Sequence, residues 1–123
     1  MEADLKKIAF VGLGVMGVPV ASRIHAAGWN LHAYDLAEAA RLSAARRGIA
    51  VHSQLKVCVE EADVVFLMLP TAIASKSVVL DVLDLSRPVI VVELGTIGCD
   101  TARECASLCS SKGVAYLDSP VIG

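Results

Sequence analysis

The stretch KKIAFVGLGVMGVPVASRIHAAG, residues 6–28, limits what this chain can fold into more than any other. An apolar run that predicts a strand over Lys7–Val11 leads straight into Gly12, Gly14 and Gly17, and the residues after them carry the spacing of an amphipathic helix. G-x-G-x-x-G between a strand and a helix has a mechanical reading. Gly12 allows the tight turn, Gly14 lets backbone approach a pyrophosphate, and Gly17 lets the helix lie close to the strand. The amides of the first helical turn then point at the phosphates. Glycines also serve ordinary turns of α/β domains, so the pattern needs its context. Both flanks are present here, and a carboxylate, Asp35, closes the second predicted strand 18 residues past Gly17, near the spacing of about 20 expected of a ribose-binding acid.

Asp35 also bears on which dinucleotide fits. A carboxylate there accepts hydrogen bonds from a ribose 2′-hydroxyl and repels a 2′-phosphate, and the next residues, Leu36 and Ala37, offer no cation. NAD is therefore expected over NADP. Arg41, one turn along the next helix, could swing toward a phosphate from there, but its expected place is a solvated helix face.

The rest of the chain repeats the strand-then-helix order. Strands are predicted over Lys7–Val11, Asn30–Tyr34, Ile49–Val51, Asp63–Leu69, Val89–Glu93 and Val114–Asp118. VVFLML and VIVVEL are apolar on consecutive residues, as a strand covered on both faces requires. Gly28, Gly48 and Gly113 stand where left-handed residues would end helices. Ser53 and Thr71 are expected N-caps, and Thr101–Glu104 (TARE) has capping-box spacing. With right-handed crossovers this order gives an α/β fold, a Rossmann-type doubly wound, mostly parallel six-stranded sheet with helices on both faces, occupying residues 1–123 as one dinucleotide-binding domain.

Composition narrows the partners. Of 123 residues, 55% are hydrophobic and 20% charged, enough apolar surface to fold one core. A net charge of −2 with isolated basic pairs at Lys6-Lys7 and Arg46-Arg47 argues against nucleic acid. No apolar run approaches the roughly 18 residues of a membrane span, and MEADLKK lacks the apolar core of a signal peptide, so a cytoplasmic protein is expected. Cys58, Cys99, Cys105 and Cys109 read as thiols; Cys105 and Cys109 share a helix face but lack a second ligand pair, so no metal is expected. His25, His32 and His52 are assigned structural or surface places, and Trp29 a packing role at a helix–strand corner.

IAFVGLGVMGVPVASRIHAAGWNLHAYD, with its G-L-G-x-M-G turn, resembles the amino-terminal domain of the β-hydroxyacid dehydrogenases, the family of 3-hydroxyisobutyrate dehydrogenase, tartronate semialdehyde reductase and 6-phosphogluconate dehydrogenase. The likeness continues through VVFLMLP (Val64–Pro70), through ELGTIGCDTAR (Glu93–Arg103), which stands at the family's D-x-S-T-I-S-P segment, and into YLDSPVIG from Tyr116, similar to the start of its D-A-P-V-S-G-G loop. The resemblance implies that Gly12, Leu13, Gly14, Val15 and Met16, with Gly17, cradle the pyrophosphate and that Asp35 takes the adenosine ribose. It further implies that Leu69 and Pro70 line the nicotinamide side, that Thr96 sits by the nicotinamide ribose, and that Gly95, Val121, Ile122 and Gly123 belong to the substrate site. Asp118 and Glu93, each closing a strand beside the cleft, are candidates for holding the substrate loop.

Departures fall on the substrate half: Gly95 stands where the family has Ser, Gly98-Cys99 replace Ser-Pro, and Ile122 replaces the Ser of the S-G-G turn. The family's catalytic lysine belongs to a carboxyl-terminal helical domain, which the resemblance places beyond Gly123. None of Lys6, Lys7, Lys56, Lys76 or Lys112 matches its motif. The chain by itself is accordingly expected to bind cofactor without turnover, its parent to convert a small hydroxy acid, and apolar surface around Val114–Ile122 to favour a homo-oligomer. A non-catalytic nucleotide-sensing or scaffold domain is the alternative, and a short protein that joins a separate helical partner is a weaker third.

Overall fold

The computed structural model describes residues 6–121. Among the described residues, six strands alternate with five helices: β1 (Ile8–Val11), α1 (Gly17–Ala26), β2 (Leu31–Tyr34), α2 (Glu38–Ala45), β3 (Ala50–His52), α3 (Leu55–Val59), β4 (Val64–Leu67), α4 (Ala72–Leu83), β5 (Ile90–Glu93), α5 (Cys99–Ser111) and β6 (Ala115–Asp118). The strands form one sheet in the order β3-β2-β1-β4-β5-β6, and every neighbouring pair is parallel. This is the doubly wound Rossmann order, and the winding changes direction between β1 and β4.

The apolar runs explain the layers. All four residues of β1 are buried, and they alternate between two cores. Ile8 and Phe10 join Val18 and Ala21 of α1 and Ala44 of α2 on one face. Ala9 and Val11 join Cys58 of α3, Val79 and Val82 of α4, and Cys105 and Cys109 of α5 on the other. The thiols at 105 and 109 are thus core residues, and burial pushes Cys58 up to about 12 and Cys109 up to about 11. Among the described residues, no helix is long and apolar enough to cross a membrane.

Helix ends agree with the sequence in part. Gly28, Gly48 and Gly113 take φ values of 91°, 85° and 70°, as left-handed helix stops do. The Thr71 hydroxyl accepts the Ala74 N–H at 3.1 Å and caps α4. Ser53 does not cap α3: the helix starts at Leu55, with extended Gln54 before it and no side-chain cap. TARE is not a capping box either, because Gly98 turns the chain and α5 already begins at Cys99. Glu104, inside that helix, instead pairs with Lys76 of α4. Trp29 is 42% exposed rather than packed, since the helix–strand corner it occupies projects from the core.

Candidate functional site

A cleft of about 1000 Å³ opens at the carboxyl ends of β1, β2, β4 and β5. That is where an open parallel sheet binds its ligands, because the crossover helices diverge at the change of winding direction. The glycine turn forms its floor. Gly12 has φ 109°, and a Cβ there would stand 2.2 Å from the Met68 carbonyl oxygen. A Cβ at Gly17 would stand 2.1 Å from the carbonyl oxygen of Gly12. These two glycines therefore serve close packing. Gly14 differs: a Cβ added there would meet nothing within 4 Å, so this backbone faces open space. Helix α1 starts at the same place with no side-chain cap and no acidic residue in its first turn. Its positive end is left for an anion.

Asp35 joins the turn to the second strand. Its Oδ2 accepts the Leu13 N–H and its Oδ1 the Ala37 N–H, both at 2.8 Å. Each oxygen keeps a further lone pair for a hydroxyl. The Leu13 side chain points away into the core and is 3% exposed. Its contribution to this region is the backbone N–H. Gly12 likewise lies behind the cleft surface. Arg41 departs from the solvated helix face expected of it, because Nη1 folds back on the carbonyl oxygens of Asp35 at 2.9 Å and Leu36 at 3.2 Å. Those carbonyls follow β2 without strand partners, and a guanidinium one turn along α2 is well placed to satisfy them.

The opposite wall comes from β4, α4 and the segment after β5. Gly14, Val15, Met16 and Gly17 face Leu69 and Pro70 across the cleft, and Asp35, Gly95, Thr96 and Val121 complete the predicted set that lines it. Val121 arrives there because Ser119 and Val121 N–H groups bond the Glu93 and Leu94 carbonyls at 2.8 and 2.9 Å. Ile122 and Gly123 lie outside the described residues. Asp118 is exposed on the edge strand and does not line the cleft. The wall also contains Leu55 and, from α4, Ala74, Ser77, Val78 and Asp81, none of which the sequence singled out. Such residues occupy helix faces everywhere, and only the crossover that lays α4 beside β4 makes them lining. Among the described residues, no lysine or histidine lines the cleft.

His32 and His52 are neighbours on β2 and β3, outside the lining of this cleft, with Nδ1 and Nε2 2.8 Å apart and stacked rings. Burial lowers both pKa values, and the Lys7 ammonium pushes the same way. His25 lies against the Gly48 turn, where a Cβ would come within 3.3 Å of its Nε2.

Comparison with known proteins agrees with this geometry. The family model described as the NAD binding domain of 6-phosphogluconate dehydrogenase matches residues 7–123. A probable 3-hydroxyisobutyrate dehydrogenase of Mycobacterium tuberculosis is 40% identical over 117 residues, covering 94% of this chain and 40% of that protein. The NAD-dependent L-serine dehydrogenase of Pseudomonas aeruginosa is 33% identical over 123 residues, covering 97% of this chain and 41% of its own length. The solved structure of Mycobacterium tuberculosis 3-hydroxyisobutyrate dehydrogenase with L-serine superimposes with a TM-score of 0.92 at 39% identity, covering 97% of this chain and 41% of that one. The chain thus spans about two fifths of the length of these relatives.

Proposed function

The chain belongs to the family of the NAD binding domain of 6-phosphogluconate dehydrogenase, and on that premise we propose that it is the cofactor half of an oxidoreductase acting on a small 3-hydroxy acid. The observation that carries the reading is the open backbone at Gly14 beside an uncapped helix end, with the Asp35 carboxylate tied to the same turn. A dinucleotide fits these groups. The amides from Gly14 to Gly17 hold the pyrophosphate, Val15 and Met16 cover it, and Asp35 accepts the adenosine ribose hydroxyls. Leu69 and Pro70 shield the nicotinamide side from water, and Thr96 bonds the ribose next to it. When bound, NAD supplies the hydride acceptor that turns the hydroxy acid into a semialdehyde or keto acid.

Gly95 and Val121 border the place for the substrate carboxylate. Removal of the hydroxyl proton needs a base, and we assign that to a lysine of a further helical domain of the parent enzyme. The parent is a homo-oligomeric cytoplasmic enzyme in this reading, with NAD preferred to NADP. A non-catalytic sensing domain remains the rival, favoured by the altered substrate half.

The experiment is a calorimetric titration of the chain with NADH and with NADPH, using Gly14→Ala as control. Saturable binding that prefers NADH and is lost in the variant is expected. Absence of binding in a folded sample overturns the cofactor assignment, and a full-length protein inert toward short hydroxy acids overturns the enzymatic one.

A further inference from the structure

Glu93 closes β5 and is fully buried, with 0% of its surface exposed. A buried carboxylate is costly unless its oxygens find donors. Both do: the Ser75 hydroxyl of α4 donates to Oε1, and the Gly95 N–H donates to Oε2 at 2.9 Å. Ser75 is itself fully buried, so this link between β5 and α4 is shut off from water. The Gly95 bond ends at the cleft wall, and the Ser75 bond ends beside lining residues of α4. Ser75 follows Ala74 and comes two residues before Ser77 on α4, and Gly95 is followed by Thr96; Ala74, Ser77, Gly95 and Thr96 all line the cleft.

A side chain at Gly95 is crowded while Glu93 is present. A Cβ there would stand 3.0 Å from Glu93 Oε2 and 3.2 Å from the Leu69 carbonyl oxygen. The carboxylate, the bare Gly95 backbone and Leu69 therefore interlock at the nicotinamide end of the cleft. Positions 93 and 95 both depart from the D-x-S pattern that the segment resembles. Relative to that pattern, the carboxylate is longer by a methylene and the side chain beside it is missing.

We propose that Glu93 is a positioning residue of the dinucleotide cleft, matched in size to Gly95, whose carboxylate sets the Gly95–Thr96 turn against Leu69 and against α4. The inference rests on the proposed cofactor site. It assigns the Gly95 departure to this packing exchange and removes it as an argument for a lost substrate site.

The test is NADH titration of the chain carrying Glu93→Asp, Gly95→Ser or both, with the thermal midpoint measured in parallel. Asp at 93 withdraws the carboxylate from its two donors, and Ser at 95 collides with the longer acid, so each change alone is expected to weaken NADH binding by about tenfold. The double variant has room for the hydroxyl beside the shorter acid, and its affinity is expected to return to within about threefold of the parent chain. A generally structural role would lower the midpoint without that selective recovery of affinity. Losses that multiply in the double variant, or unchanged affinity in Gly95→Ser, overturn the proposal while leaving the cofactor site standing. If the unaltered chain fails to bind NADH, the cofactor assignment falls and takes this inference with it. Should a single variant not fold, Ser75→Ala reads the same link: weakened NADH binding supports it and parental affinity overturns it.

Discussion

The carbonyl oxygen of Gly12 lies 2.1 Å from the position a Cβ on Gly17 would take, whereas a Cβ on Gly14 would meet nothing within 4 Å. The glycines of one motif thus do different work. Gly17→Ala must push the turn away from α1, and overpacking of this kind costs about 1–3 kcal/mol or more. Gly14→Ala should melt within a few degrees of the parent and yet lose NADH binding, because its methyl fills the space where a pyrophosphate approaches. Thermal melts paired with NADH titrations separate the two. A Gly14→Ala chain that binds normally would remove the phosphate site from this turn.

In the proposed reading, Asp35 and Arg41 together set the cofactor choice. Asp35→Ala removes the acceptor for the Leu13 and Ala37 N–H groups as well as for a ribose hydroxyl, and NADH affinity is expected to fall about tenfold or more. The Arg41 guanidinium, held at the Asp35 and Leu36 carbonyls, then faces a 2′-phosphate with no carboxylate against it. NADPH should bind Asp35→Ala better than the parent chain, and Asp35→Ala/Arg41→Ala should lose that gain. Equal NADPH affinity in both variants would show that Arg41 is not the cation involved.

The alternation of strands and helices was legible because fully covered parallel strands need unbroken apolar runs. Residues such as Phe10 and Val65 could hardly sit elsewhere. The glycine turn was legible because Gly12 and Gly17 stand where a side chain would strike backbone. Helix starts were less so. Thr71 and Ser53 are equally good caps by residue type, and only the first is used, since the chain between β3 and α3 runs extended through Gln54. Arg41 could not be placed from sequence, because the carbonyls it bonds are freed only by the way β2 ends. Glu93 was visible as an acid at a strand end, but its burial depends on α4 and on the missing side chain at 95, two facts of tertiary packing.

His32 and His52 make stability depend on pH below neutrality. Both pKa values lie below the ordinary 6.5 in the folded chain, through burial first and then the Lys7 ammonium. As pH falls through 6.5 the unfolded chain takes up protons before the folded one, so stability is lost in that window. Urea midpoints measured from pH 8 to pH 5 should decline, and His52→Gln, which keeps a polar group opposite His32, should flatten the decline. Parallel curves for the two proteins would show that the pair does not carry it.

Glu93 has the opposite sign. Burial, with the Asp118 carboxylate opposite it on β6, raises its pKa above the ordinary 4.5, although the Ser75 and Gly95 donors pull it back. The folded chain therefore holds this proton more tightly than the unfolded one. As pH rises from 4.5 through the folded value, the unfolded state ionises first and the folded state loses stability relative to it. Glu93→Gln carries no charge at any pH, so it lacks this loss. The stability difference between parent and Glu93→Gln should shift in favour of the variant as pH increases across that window and become constant above it. Comparing the two chains cancels the titrations they share, including those of the histidines. A difference that stays flat from pH 4 to pH 8 would mean that the two donors offset burial completely.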